Sequence, residues 1–286
     1  MRGRALVHGA ATIVNGIATG KGAAFGIDLW TEARVELTQD AGVVEGKILS
    51  DPEESTILIE KCMEVLFDRF GIRELGAEVT TDSNIPIARG LKSSSVAANA
   101  IILAALSALG KGLSDFEVLD LAVDAAIKSG TTITGAFDDA SASFFGNIVV
   151  ADNLQRKILK TFEVEDLPVV IVVPEGKSYT SKSNVKRMKL IAKQALTAHE
   201  KALLGNYWEA MILNSLAYSA ALGYPSEATI DALEAGAIAA GLSGKGPAIV
   251  AVTHECDLNG VKSVLERYGK TIVARTNKEK AKSCTN

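Results

Sequence analysis

Residues 77–109 constrain the fold more than any other part of the chain, because their hydrophobic period switches from two to a helical spacing across one short loop. Ala77, Val79 and Thr81 alternate with Glu78, Thr80 and Asp82, the pattern of a strand with one buried face, and Asn84 and Pro86 end it. Val96 to Leu109 is rich in Ala and Leu and predicts a buried helix that Gly110 closes. The connecting loop, Pro86, Ile87, Ala88, Arg89, Gly90, Leu91, Lys92, Ser93, Ser94, Ser95 and Val96, must therefore convert a strand into a helix.

A loop of this kind favours anions. The first N–H groups of the helix have no intrahelical partner and lie at the positive end of its dipole. Gly90 allows a tight turn and close approach of backbone to a phosphate, Lys92 adds a mobile cation, and the serine hydroxyls can reach phosphate oxygens or a bound magnesium ion. A serine-capped buried helix after a glycine turn is the plainer reading of the same residues. Three serines and a lysine at one helix start exceed what capping requires, so a nucleotide-using enzyme leads.

Composition narrows the alternatives. With 286 residues, 48% of them hydrophobic, the chain has ample material for two compact domains, though one large domain is possible. A formal net charge of −4 gives no general attraction to nucleic acid or to anionic membranes. Cys62, Cys256 and Cys284 match no zinc or disulfide spacing, which fits reduced thiols in a cytoplasmic protein. His8, Asn15 and several glycines interrupt the apolar N-terminal stretch, which argues against a signal peptide, and Val96 to Leu109 is too short to span a bilayer.

Extended segments are expected at Ala5 to Asn15, Gly26 to Leu37 and Val43 to Ile48, and a helix at Glu54 to Phe70. A helix capped by Ser114 follows from Asp115 to Ser129, and Gly130 to Asp152 reads as loop, short helix and strand. The polar run Asp152 to Asp166 marks the expected boundary between domains at 1–152 and 153–286, with a buried strand beginning at Pro168. Beyond it, helices are expected at Asn184 to Leu204, Tyr207 to Leu222, Ser226 to Ala240 and near Leu258 to Tyr268, with strands at Ala248 to Thr253 and Thr271 to Ala274 and a frayed tail from Thr276. The mixture is of the α+β class.

Several other segments carry candidate chemistry. Gly244 and Gly246 flank Lys245 before a strand, where they can line phosphates or form a tight turn. Asp138 and Asp139 adjoin in a loop of small residues; such carboxylates repel, so a lysine, a metal or a hydroxyl proton is a natural partner for one of them, while capping accounts for the other. Lys21 sits between Gly20 and Gly22, where a ligand can approach or a turn can expose it. Gly176, Lys177 and Ser178 imitate part of a Walker A loop, but Ile171 stands where its first glycine would be. Lys177, Lys182, Lys186 and Arg187 can form a local basic surface or a solvated helix face.

Together these segments resemble the three motifs of the GHMP kinase superfamily, the small-molecule kinases that include galactokinase, homoserine kinase and mevalonate kinase. Pro86 to Ala98 is similar to its phosphate loop, and Gly241 to Ala248, more loosely, to its C-terminal Gly-rich motif. Within it the chain looks most like the archaeal-type shikimate kinase branch, through Ala11 to Leu29, Thr134 to Ser143 and Pro174 to Lys182. The resemblance implies a two-domain GHMP fold with the active site in the cleft, and ATP-dependent phosphorylation of the shikimate 3-hydroxyl, with another acceptor or a silent nucleotide-binding regulator as alternatives. It implies that Pro86 to Val96, with Gly244 and Gly246, wraps ATP, that Ser94 contacts Mg2+, that Asp138 accepts or orients the hydroxyl proton, and that Lys21 neutralises charge on the transferred group. Lys92 and Lys245 stand where many members have small residues, and the Gly-Glu-His sequence of the sugar kinases is missing.

Overall fold

The computed structural model describes residues 1–174 and 184–284 and consists of two antiparallel-rich sheets with helices packed on them. Gly176 to Ser178, and with them Lys177 and Lys182 of the expected basic surface, lie outside the described residues.

The first sheet is organised by two long strands, β1 (Arg2–Val14) and β2 (Lys21–Thr38), paired antiparallel along most of their length. β2 is long enough to serve two further neighbours: its start pairs β5 (Ile148–Asp152) and its end pairs β4 (Gly76–Ser83). β3 (Val44–Ile48) adds parallel to β4, β6 (Lys157–Phe162) forms a hairpin with β5, and β11 (Lys282–Cys284) closes the edge beside β1. The helices are α1 (Ile57–Phe70), α2 (Ser93–Leu109), α3 (Asp115–Lys128) and α4 (Phe137–Phe145). α2 is apolar nearly all round because it lies in the middle of this layer, with Val96, Ala100, Ile101, Ile102 and Ala105 fully buried. It touches β1 where Gly3 lacks a side chain; a Cβ there would stand 2.1 Å from the Ala104 carbonyl oxygen.

The second sheet takes the order β10 (Lys270–Arg275), β7 (Pro168–Val173), β9 (Ile249–Val252), β8 (Ala239–Leu242). α5 (Val185–Lys189), α6 (Ala192–Leu203), α7 (Tyr207–Leu222), α8 (Glu227–Glu234) and α9 (Leu258–Leu265) accompany it. The α+β class is as expected, and Ser114 caps α3 in a full capping box with Glu117.

The polar run after Asp152 contains β6, which pairs with β5 in the first sheet. Three local expectations are corrected. The helix expected to reach Ala240 stops at Glu234, and residues 239–242 instead form β8 after a Gly236 with φ of +100°. The helix expected at 184–204 is two helices, α5 and α6. The tail expected to fray is fastened: Asn277 exchanges backbone hydrogen bonds with Gly26 and Asn147 at 2.8 Å, and Ala281 N–H donates to Phe144 O at 2.6 Å. Gly26 and Gly146 make that possible, since a Cβ on either would meet the tail backbone at 2.6 and 2.7 Å. No helix of the described residues is long and apolar enough to cross a membrane.

Candidate active site

The phosphate loop is shaped by backbone conformations that side chains resist. Ala88, Gly90 and Lys92 all have positive φ, of 56°, 87° and 63°. Lys92 is the N-cap of α2, and no N-cap side chain accepts from the first turn, so Ser93, Ser94 and Ser95 begin the helix with its positive end uncapped. Ile87, Ala88, Gly90, Lys92 and the three serines line a cavity of about 240 Å3. Leu91 and Val96 instead anchor the loop in the core, and the Arg89 guanidinium donates to the Pro174 carbonyl at 2.7 Å.

The two Gly-rich segments touch each other. Ser243 Oγ donates to Gly90 O at 2.8 Å and Ala248 N–H to Arg89 O at 3.1 Å. A Cβ on Gly90 would stand 2.1 Å from Ser243 O, so this glycine is required by backbone against backbone as well as by its φ. Gly244 lines the cavity, donates its N–H to Thr12 Oγ1 at 2.8 Å and accepts from Asn15 Nδ2 at 2.7 Å. Gly246 turns the chain with φ of +74° beneath Leu242 and Tyr224 and is not among the lining residues.

Opposite the helix start, α4 presents both carboxylates to the same cavity; Asp138 is 3% and Asp139 7% exposed. Lys92 Nζ pairs with Asp139 Oδ2 at 3.0 Å. Burial, reinforced by the neighbouring Asp139, pushes the Asp138 carboxyl up to about 7 against the pull of Lys92. A buried carboxyl poised there exchanges a proton readily near neutral pH. Lys245 also lines the cavity, and burial together with Lys92 pushes its ammonium down to about 8.

Lys21 is placed differently from Asp138. It opens β2, and its Nζ bonds Asp152 Oδ2 at 3.0 Å; it is not a lining residue. The cation brought between the phosphate loop and the acids is Lys92. Sequence reasoning gave no role to Asn15, Asn153, Glu54 or Thr131 to Thr134, which also line the cavity. Asn15 and Asn153 end strands, where asparagine is commonplace, so nothing local sets them apart.

An uncapped helix start facing two buried carboxylates and a lysine suits a phosphate-bearing ligand. Residues 58–147 match the family model described as GHMP kinases N terminal domain. The shikimate kinase of Methanosarcina mazei is 47% identical over 269 residues, covering 94% of this chain and 91% of that protein. The shikimate kinase of Pyrococcus furiosus is 42% identical over 278 residues, covering 96% and 100%. Among solved structures, homoserine kinase from Cytophaga hutchinsonii superposes with a TM-score of 0.78 at 16% identity over 99% of this chain and 97% of that one. Mevalonate kinase of Methanococcus jannaschii does so with a TM-score of 0.77 at 15% identity over 96% and 98%. The chain belongs to the GHMP kinase family, and within it is similar over nearly its whole length to archaeal shikimate kinases.

Proposed function

We propose that the chain transfers the γ-phosphoryl group of ATP to the 3-hydroxyl of shikimate, releasing ADP and shikimate 3-phosphate. The observation that carries the acceptor is the 47% identity, at 94% coverage, to a shikimate kinase. The observation that supports the chemistry is the single cavity shared by the α2 N-terminus, Lys92 and the buried Asp138.

In this reading the ATP phosphates lie on the backbone N–H groups at Ser93 to Ser95, with Gly90 and Gly244 letting the backbone come close. Lys92 faces the charge that develops on the transferred group. The acceptor hydroxyl approaches Asp138, which takes its proton as the oxygen–phosphorus bond forms and the bond to the ADP oxygen breaks. Lys245, the other lysine lining the cavity, suits the anionic substrates. Lys21, which the family resemblance implicates, acts at one remove by fixing the Asp152 turn beside the site.

The donor set fits Mg2+. The Ser94 hydroxyl and the Glu54 carboxylate line the cavity, and both are hard oxygen donors of the kind that ion takes. When bound, the ion neutralises charge on the β- and γ-phosphates. A cytoplasmic setting accords with three unpaired cysteines. ADP release coupled to a reporter, run with shikimate, homoserine and mevalonate in turn, tests the acceptor. Turnover with shikimate alone is the expected result, and its absence would sink the assignment.

A further inference from the structure

Two turns remote in sequence meet beside Asp138. After β1, the chain turns so that Gly20 N–H donates to Gly16 O at 2.7 Å, and β2 then begins at Lys21 and Gly22. After β5, Asn153 N–H donates to Gly20 O at 2.7 Å, locking the second turn against the first. Asp152 holds that second turn from outside, accepting from Lys21 Nζ at 3.0 Å and from the N–H groups of Leu154 and Gln155 at 3.1 and 3.0 Å.

The Asn153 side chain is thereby delivered to the proton acceptor. It is 3% exposed, and its Oδ1 accepts from Asp138 N–H at 2.8 Å. Asn153 Nδ2 and Asp138 Oδ2 both border the place a Cβ on Gly22 would take, at 3.2 and 1.9 Å, and the neighbouring amide favours the charged form of the carboxyl. The space for this pair exists because two residues lack side chains. A Cβ on Gly22 would stand 1.9 Å from Asp138 Oδ2, and one on Gly16 would stand 2.4 Å from Asn153 Nδ2.

We propose that Asn153 is the positioning residue for the proton acceptor, gripping Asp138 by its backbone N–H and setting its amide beside the carboxylate, with Gly16 and Gly22 vacating the space for the pair. The proposal rests on Asp138 being that acceptor. Of the charged and titratable groups around Asp138, Asp139 opposes its ionisation, Lys92 assists it, and Tyr218 lies near enough to be affected by its charge. Asn153 assists without adding net charge to a cavity that must admit anions. By holding the Asp138 backbone it also limits where the carboxylate can point, which a point charge such as Lys92 does less well.

The test compares Asn153→Ala and Asn153→Asp in the full chain, reading kcat, the KM for ATP and for the acceptor, and the pH profile. Asn153→Ala should lower kcat by about 10- to 100-fold with the KM for ATP within about twofold, and move the acidic limb to higher pH. Asn153→Asp keeps an oxygen for the Asp138 N–H but replaces the amide donor with an acid, so the limb should rise further, by about one pH unit or more. An acidic limb unmoved in the folded variants overturns the proposal, whatever happens to kcat, because a merely structural residue would lower activity without moving it. Should Asn153→Ala fail to fold, Asn153→Asp decides alone. Asp138→Asn separates the two claims: if it abolishes turnover while both Asn153 variants behave as wild type, the positioning role fails and the acceptor assignment stands.

Discussion

The two walls of the cavity are built on different principles. On one side the phosphate loop offers main-chain N–H groups, held by positive φ at Ala88, Gly90 and Lys92 and by hydrogen bonds to its carbonyls from the Ser243 hydroxyl and the Ala248 N–H. On the other side the reactive group is a side chain, Asp138, whose own backbone N–H is held by the Asn153 side chain over Gly16 and Gly22. A backbone wall suits ATP, whose triphosphate presents many equivalent oxygens and needs charge and closeness more than one direction. A side-chain wall suits the acceptor, because a proton must be taken from one hydroxyl at one angle. Substitutions on the first wall should therefore act mainly through ATP, and on the second through turnover.

The largest effect should come from Asp138→Asn, which preserves shape and removes the proposed proton acceptor. Its kcat should fall by roughly two to four orders of magnitude while the KM for ATP changes little, as read in the ADP-release assay. Stability should move the other way. The folded-state carboxyl sits above its ordinary 3.8 at about 7, so between those values the unfolded chain has lost a proton the folded chain retains, and stability falls as pH rises through that window. The amide does not ionise, so the variant should melt higher than wild type at pH 8. A variant that is inactive and also less stable would mean that Asp138 holds the fold together, and the contrast between the walls would weaken.

Gly90→Ala probes the other wall and should have the next largest effect. The new methyl group would meet Ser243 O at 2.1 Å, and a φ of 87° disfavours any side chain. The loop must shift, so the KM for ATP should rise about tenfold or more, with a stability loss of about 1–3 kcal/mol. A change confined to kcat would remove the distinction drawn here.

How far each wall could be read from the amino-acid sequence follows from the same difference. The phosphate loop is contiguous: strand alternation, glycine, lysine and three serines before an Ala-rich helix are local signals, and α2 starts where they place it. β11 and β8 were lost for the opposite reason. Lys282 to Cys284 is polar and becomes a strand only because β1 has an open edge, and Ala239 to Leu242 suits a helix until β9 supplies a partner. In the acid wall, the adjacent carboxylates were visible as a repulsion needing an explanation, but the explanation lies elsewhere in the chain. Lys92 answers Asp139, and Asn153 answers Asp138 from 15 residues away. Lys21, flanked by glycines, looked like a ligand group; yet Gly22 makes room for the Asp138 carboxylate, and the lysine itself pairs with Asp152.

The smallest effect, and the one that measures both walls together, is the pH dependence of wild-type turnover. Asp138 must be unprotonated to take the hydroxyl proton, so kcat/KM should fall about tenfold per pH unit below about 7. Lys245 must be protonated to attract anionic substrates, so a second limb should appear above about 8. Between pH 7 and 8 the profile should be nearly flat, changing by less than about 1.5-fold, because the two groups titrate at opposite edges of that interval. Lys245→Arg keeps the positive charge to far higher pH and should remove the alkaline limb while leaving the acidic one in place. A profile flat from pH 5.5 to 7 would contradict the role of Asp138, whereas an alkaline limb that survives Lys245→Arg would assign that titration to another group and leave the acidic wall untouched.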